Sequence, residues 1–173
     1  MSTQAHWEHI YGTKAPDQVS WFRPHLETSL GLISRATRDR SARIIDVGGG
    51  ESTLVDDLLH GGYSRLSVLD ISQTAIDFTK ARLGSLASGV EWIVANVTEA
   101  DFPKHAYDVW HDRAVFHFLT AASQRHAYVE RVANAVRPGG HVIIGTFGPE
   151  GPTKCSGLNV QRYDADSLHG EFG

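Results

Sequence analysis

The sequence predicts a three-layer α/β sandwich, a mostly parallel sheet of about five strands between two layers of helices. Three observations predict it. Short runs rich in β-branched residues alternate with longer amphipathic runs, the order that builds parallel sheets from strand–helix–strand units. The first β-rich run ends in Gly48-Gly49-Gly50 and the second ends in Asp70. Its 173 residues, 41% hydrophobic and 21% charged, suit one compact domain with a sizeable core.

Residues 4–12 read as a helix carrying Trp7 and Tyr11 at i, i+4 spacing. Pro24 opens a second helix with Leu26, Leu30 and Ile33 on one side. Residues 42–47 form the first buried strand. Ser52 or Thr53 caps the helix after the glycines, whose apolar side holds Leu54, Val55, Leu58 and Leu59 until Gly61-Gly62 stops it. Residues 66–70 are the second strand, and Ser72 caps a helix running through Ile76 to Leu83. Residues 90–95 are the third strand. Residues 107–111 are the fourth, after a turn at Pro103. A helix over 123–136 meets Arg137-Pro138-Gly139-Gly140, a stop and turn signal, and residues 141–147 make the fifth strand. A short helix over 165–171 follows. This alternation is Rossmann-like, and such sheets bind ligands beyond the carboxyl ends of the strands, near the point where strand order reverses. Residues 1–38 are then an N-terminal helical lid segment and residues 39–173 carry the sheet, within a single domain overall.

Sixteen basic and 20 acidic side chains leave a net charge of −4, with no Lys/Arg run to suggest general binding to nucleic acid or an anionic membrane. Cys155 is the only cysteine, so no intrachain disulfide or cysteine-based zinc site forms. His6 and His9 lie i, i+3 with no third ligand fixed by spacing, and no metal is expected. The opening residues lack a basic segment followed by an apolar run, and no stretch is long and apolar enough to span a bilayer. A cytoplasmic protein is the expectation.

The glycine turn lets the backbone bend and approach a ligand closely, while the helix after it offers free N–H groups. A purely structural turn would look the same. Asp70 sharpens the reading: a carboxylate ending the second strand can accept hydrogen bonds from both hydroxyls of an adenosine ribose. A dinucleotide fingerprint would place glycine where Thr53 stands, and Asp46 is unwelcome beside a pyrophosphate. Asp46 suits a ligand that brings an ammonium group.

Asp46-Val47-Gly48-Gly49-Gly50, the strand-ending Asp70, and Arg137-Pro138-Gly139-Gly140 before a strand resemble the class I S-adenosylmethionine-dependent methyltransferases, from about residue 40 onward. The resemblance implies S-adenosylmethionine as cofactor, S-adenosylhomocysteine as product, and methyl transfer to a small-molecule or protein acceptor. It implies cofactor contacts from Asp46, Gly48, Gly49, Gly50, Asp70, Ile71, Val97 and His111. The family's acidic residue after the third strand is Asn96 here, whose side-chain oxygen can still meet an adenine amino group. Ser52 replaces the last glycine of the family's first motif.

His6-Trp7-Glu8-His9-Ile10-Tyr11 with Val19-Ser20-Trp21-Phe22, and the stretch from Trp110 to Phe118, are similar to small methyltransferases that include certain protein lysine methyltransferases. Trp7, Tyr11 and Trp21 are either hydrophobic anchors or an aromatic lid over the sulfonium. In such chemistry the protein mainly aligns nucleophile, methyl and sulfur, and a base is needed only for a protonated acceptor. His111 and Asp112 are the candidate catalytic residues, with Arg113 and His117 near the acceptor; alternatively Asp112 and Arg113 pair with each other or cap the next helix.

The resembled family ends its sheet in an antiparallel hairpin beside the fifth strand. No Val/Ile-rich pair follows Phe147, so a C-terminally truncated chain is expected, with an open fifth-strand edge and possible homodimerisation through it. Two alternatives to a methyltransferase stay open: a non-catalytic S-adenosylmethionine-binding or interaction module, and an NAD(P)-dependent oxidoreductase, which the glycine spacing and Asp46 disfavour.

Overall fold

The computed structural model describes residues 3–15, 18–19 and 21–173. Ser20 of the second aromatic segment, and residues 1, 2, 16 and 17 of the expected lid, lie outside the described residues. Two helices, α1 (Thr3–Thr13) and α2 (Glu27–Ala36), precede the sheet. Strands β1 (Arg43–Val47), β2 (Arg65–Asp70), β3 (Val90–Val94), β4 (Tyr107–Arg113) and β5 (Val136–Gly145) form one sheet in the order β3-β2-β1-β4-β5. All four pairings are parallel. The chain builds outward from β1 on one side, then crosses to start β4 on the other. The switch point therefore lies between β1 and β4, where Val47 pairs with Asp112.

Successive strand residues face opposite layers. Ile44, Val68 and Val109 pack with α2, α3 (Leu54–His60) and α4 (Gln73–Leu83) through Ile33, Leu58 and Ile76. Ile45, Leu69 and Trp110 pack with α5 (Ala122–Ala135) and α6 (Ala165–Phe172) through Tyr128, Val132 and Phe172. Buried apolar residues on both faces are what a parallel sheet requires.

Ser72 caps α4 as its sequence position predicts, accepting from Ala75 N at 3.2 Å. At α3 it is the Ser52 hydroxyl that accepts, from Leu54 N at 3.1 Å, while Thr53 Oγ1 donates to the Arg23 carbonyl.

Three stretches differ from the sequence expectation. The second helix starts at Glu27, with Leu26 as its N-cap, rather than at Pro24. Residues 137–140 are part of β5 rather than a turn before it: Tyr107 pairs with Val136, and the register shifts before Val109 meets His141. Gly139 takes φ +76°, and a Cβ on Gly140 would stand 3.0 Å from the Asp108 carbonyl. A proline without an N–H is tolerated there because the strand is at the sheet's edge and irregular. Beyond β5, where no further strand pair reads from the sequence, the chain makes a small hairpin, β6 (Lys154–Cys155) with β7 (Leu158–Asn159). Ser156 (φ 50°) and Gly157 (φ 79°) supply its two positive-φ corner residues. The hairpin is a separate two-stranded sheet, so among the described residues β5 pairs only with β4. Among these residues no helix is long and apolar enough to cross a membrane.

Candidate active site

The glycine turn after β1 packs two carboxylates beneath itself. Gly48 takes φ +70°, and a Cβ there would meet Val115 Cγ2 at 2.1 Å. A Cβ on Gly49 would lie 2.6 Å from Asp46 Oδ2, and one on Gly50 2.6 Å from Asp70 Oδ2. The turn is pinned to β2, with Gly48 N and Gly49 N both donating to the Leu69 carbonyl at 2.7 and 3.2 Å. A side chain at Gly49 or Gly50 would collide with a carboxylate, and one at Gly48 with the Val115 side chain.

A cavity of about 420 Å³ opens at the carboxyl ends of the strands. One wall is Asp70, Ile71, Asn96 and Val97; the wall across from β4 and β5 includes Arg113, Phe118, Thr146 and Phe147, with Cys155 from the hairpin; Trp7, Tyr11 and Trp21 come from the N-terminal segment. A second cavity of about 50 Å³ shares Tyr11, Trp21, Arg23, Gly48 and Arg113 with the first and adds Asp46, Glu51 and His111. The structure thus brings Asp46, Gly48, Asp70, Ile71, Asn96, Val97, His111, Trp7, Tyr11 and Trp21 around two adjoining spaces.

Asp70 is buried and accepts from Ser72 N at 2.9 Å. Burial pushes its carboxyl up to about 7, against the hydrogen bonds from Ser72 and Gly50 that favour the ionised form, and Asp46 adds to the rise. Asp46 Oδ1 accepts from His111 Nδ1 at 2.7 Å, and His111 Nε2 is hydrogen-bonded to the Ser29 hydroxyl at 2.9 Å. Asp46 Oδ2 is buried without a partner. Both His111 nitrogens are thus engaged, and the ring is 1% exposed.

Asp112 sits elsewhere. It lines neither cavity, is fully buried, and accepts from Val115 N (2.8 Å), Phe116 N (3.0 Å) and Tyr128 Oη (2.6 Å). Of the two alternatives to acceptor contact, capping is the one its bonds resemble, for it holds the turn that follows β4. Arg113 donates to the Trp21 carbonyl at 3.1 Å instead of pairing with Asp112. Burial and the neighbouring Arg23 draw the Arg113 pKa down. His117 is buried between Phe118 and Phe147, with ring centroids 4.4 and 4.8 Å away and neither nitrogen partnered. The Asn96 side-chain oxygen accepts from both Thr98 N and Thr98 Oγ1 at 3.1 and 2.9 Å, so it is engaged in a local turn.

The aromatics form one cluster over the larger cavity. Trp7 stands 5.8 Å from Tyr11, 6.0 Å from Trp21 and 5.2 Å from Phe118, ring centre to ring centre. Burial, then the Asp70 and Glu51 carboxylates, push the Tyr11 hydroxyl well above its ordinary pKa, so it remains a donor.

Sequence reasoning missed Glu8 and Glu51. Glu8 reaches from α1 to the amino end of α4, accepting from Gln73 N (2.6 Å), Ser72 Oγ (3.1 Å) and Thr74 N (3.2 Å). A carboxylate at a helix N-terminus meets free N–H groups and the positive end of the dipole. Burial raises its pKa, but those hydrogen bonds outweigh it and leave the group below the ordinary range. Glu8→Ala is expected to cost about 1 kcal/mol of α1 docking. Hydrogen exchange across residues 3–13 should accelerate; unchanged exchange there would show that the aromatics alone hold the helix.

Independent comparisons agree with this architecture. Residues 44–140 match the family model for the methyltransferase domain. The eEF1A lysine and N-terminal methyltransferase of Bos taurus is 25% identical over 108 residues, 62% of this chain but only 15% of that protein's length. A solved structure from work on the conversion of a disulfide bond into a thioacetal group during echinomycin biosynthesis superposes with a TM-score of 0.77 at 18% identity, covering 98% of this chain and 77% of its own. The methyltransferase in complex with the Trm112 activator of Haloferax volcanii gives 0.72 at 17%, covering 86% and 66%. The matched region holds the glycine turn, Asp70, β1 from Ile44 and all of β2 to β4, and with it the chain belongs to the methyltransferase domain family, in its class I, Rossmann-like, S-adenosylmethionine-dependent form.

Proposed function

We propose that this chain transfers the methyl group of S-adenosylmethionine to a small-molecule or protein acceptor, leaving S-adenosylhomocysteine. One observation carries the reading: beneath the glycine turn, Asp46 keeps a buried oxygen without a partner and lines the smaller cavity, which adjoins the larger one lined by Asp70. Unpaired buried carboxylate oxygens favour a cationic ligand and disfavour a diphosphate. The donor set fits the cofactor along its length. Ile71 and Val97 offer apolar contact to adenine, and Asn96 would have to release Thr98 to meet its amino group. Asp70 would accept from the ribose hydroxyls, and Asp46, oriented by His111, would face the ammonium. Arg23 and Arg113 share both cavities; two guanidiniums that repel each other suit a carboxylate between them.

When bound, the cofactor supplies the activated methyl. The chain would orient it, and Trp7, Tyr11, Trp21 and Phe118 would exclude water and present ring faces to the sulfonium. An amine on a protein is one acceptor class, supported by the bovine relative's lysine and N-terminal specificity. Proton removal by His111 or Asp112 receives no support from their placement, since both are sealed by hydrogen bonds. An acceptor that arrives neutral needs no such base. The same placement supports a second reading, a non-catalytic S-adenosylmethionine-binding module.

Asp70→Ala is expected to weaken S-adenosylhomocysteine binding by about 1.5–3 kcal/mol, the worth of charge-assisted ribose bonds. Calorimetric titration with S-adenosylhomocysteine and with NAD checks the cofactor, and unchanged affinity in a folded Asp70→Ala protein would remove the ribose role. Radiolabelled methyl transfer to mixed acceptors separates enzyme from module.

A further inference from the structure

Two carboxylates of the smaller cavity each keep a buried oxygen without a hydrogen-bond partner. Besides Asp46, Glu51 lines it, 8% exposed, with Oε2 buried and unbonded. The backbone around it is fixed: the Gly50 carbonyl accepts from Thr79 Oγ1 at 2.6 Å and the Glu51 carbonyl from Arg82 Nη1 at 3.1 Å. The charged and titratable groups around Glu51 come from every neighbouring element: Tyr11 of α1, Arg23 before α2, Asp46 of β1, Asp70 of β2, Arg82 of α4, and His111 and Arg113 of β4. Of the cations, Arg82 spends its guanidinium on Asp56 (2.6 Å) and on the carbonyls of Glu51 and Ser52. Arg113 is bonded to the Trp21 carbonyl.

We propose that the Glu51 carboxylate joins Asp46 as counter-ion for the α-ammonium of the bound cofactor. This rests on the S-adenosylmethionine reading and adds a residue to it. Burial pushes the Glu51 carboxyl up to about 7, Arg82 pulling against the rise and Asp70 adding to it. Near neutrality the free protein therefore holds part of this group protonated. An arriving ammonium stabilises the carboxylate, so the Glu51 proton passes to the buffer as the ion pair forms. Binding and proton release are then one event.

The test uses two ligands that share the nucleoside and sulfur and differ in the amino-acid portion, which carries the ammonium that Glu51 would meet. S-Adenosylhomocysteine carries the ammonium; 5′-methylthioadenosine keeps the nucleoside and sulfur and lacks the amino-acid portion. Titration calorimetry at pH 7, in two buffers of different ionisation enthalpy, reads affinity and protons released together. Glu51→Gln is expected to bind S-adenosylhomocysteine about tenfold more weakly, to release fewer protons, and to bind methylthioadenosine within about twofold of wild type. Glu51→Asp, which keeps the charge on a shorter arm, should recover part of the loss. A Glu51→Gln protein with wild-type affinity and proton release overturns the proposal. So does equal loss of both ligands while the melting temperature is unchanged. Should Glu51→Gln lose its fold, Glu51→Asp decides, by retaining or losing its preference for S-adenosylhomocysteine over methylthioadenosine. Wild-type protein that binds neither ligand would instead defeat the cofactor reading itself.

Discussion

Asp112→Ala is expected to destabilise the fold by about 3–5 kcal/mol, as loss of a buried charge centre with several partners does. The carboxylate anchors the turn after β4 through Val115 N and Phe116 N, and accepts the Tyr128 hydroxyl, which itself accepts from Trp110 Nε1 at 2.9 Å. Truncation strands three donors in a region where Trp110, Phe116 and Tyr128 are all fully buried. Denaturant unfolding measures the loss, and S-adenosylhomocysteine binding by the remaining folded protein should persist. A stable Asp112→Ala protein that binds cofactor and has lost only methyl transfer would return Asp112 to the acceptor site.

The second large effect is on stability against pH. The free protein is expected to weaken as pH rises from about 4 to 7. Asp70 is held neutral up to about 7 where its ordinary value is 3.8. Its folded pKa exceeds the unfolded one, so its contribution is full below 3.8 and is lost as pH rises through 7. For one fully buried carboxyl that loss is on the order of 4 kcal/mol at alkaline pH. Glu51, held to about 7, and Asp112, held to about 6, act with the same sign. His117 acts oppositely: burial depresses its pKa to about 4 from 6.5, so stability falls as pH drops from 6.5 toward 4. Three carboxyls outweigh one histidine over the shared window, so the optimum should lie at its acid end, at about pH 4–5. Asp70→Asn should flatten the alkaline limb and raise the melting temperature at pH 8 while weakening S-adenosylhomocysteine binding. Melting profiles for wild type and Asp70→Asn that coincide from pH 5 to 9 would mean that Asp70 is not held neutral in the free protein.

Legibility in the sequence followed how local the cause was. The strands, the Ser72 cap and the glycine turn rest on spacing within a few residues, and the order of elements alone puts Asp70 at the carboxyl end of the second strand, where the cavity lies. What escaped depends on distant partners. Residues 137–140 look like a turn because proline and glycines favour one, but pairing with β4 extends the strand through a register shift. Asp112 looks like an acceptor contact by its place at the carboxyl end of the fourth strand, and only the fold brings Tyr128 to it. Glu8 and Glu51 are charged residues in segments read for aromatics and glycines. Glu51 had one local signal, an acidic side chain next to a turn that already holds Asp46.

A short relay links the N-terminal helix to the cavity wall: Glu8 accepts from the Ser72 hydroxyl, and the Ser72 N–H donates to Asp70 Oδ1. Docking of α1 and the orientation of Asp70 thus share one residue, and any coupling between them must be mutual. Whatever factor in ligand affinity is lost when Glu8 is removed, the same factor is lost from the ligand's ability to hold α1 in place. Helix docking and cofactor binding become two sides of one thermodynamic square, with Ser72 at the shared corner.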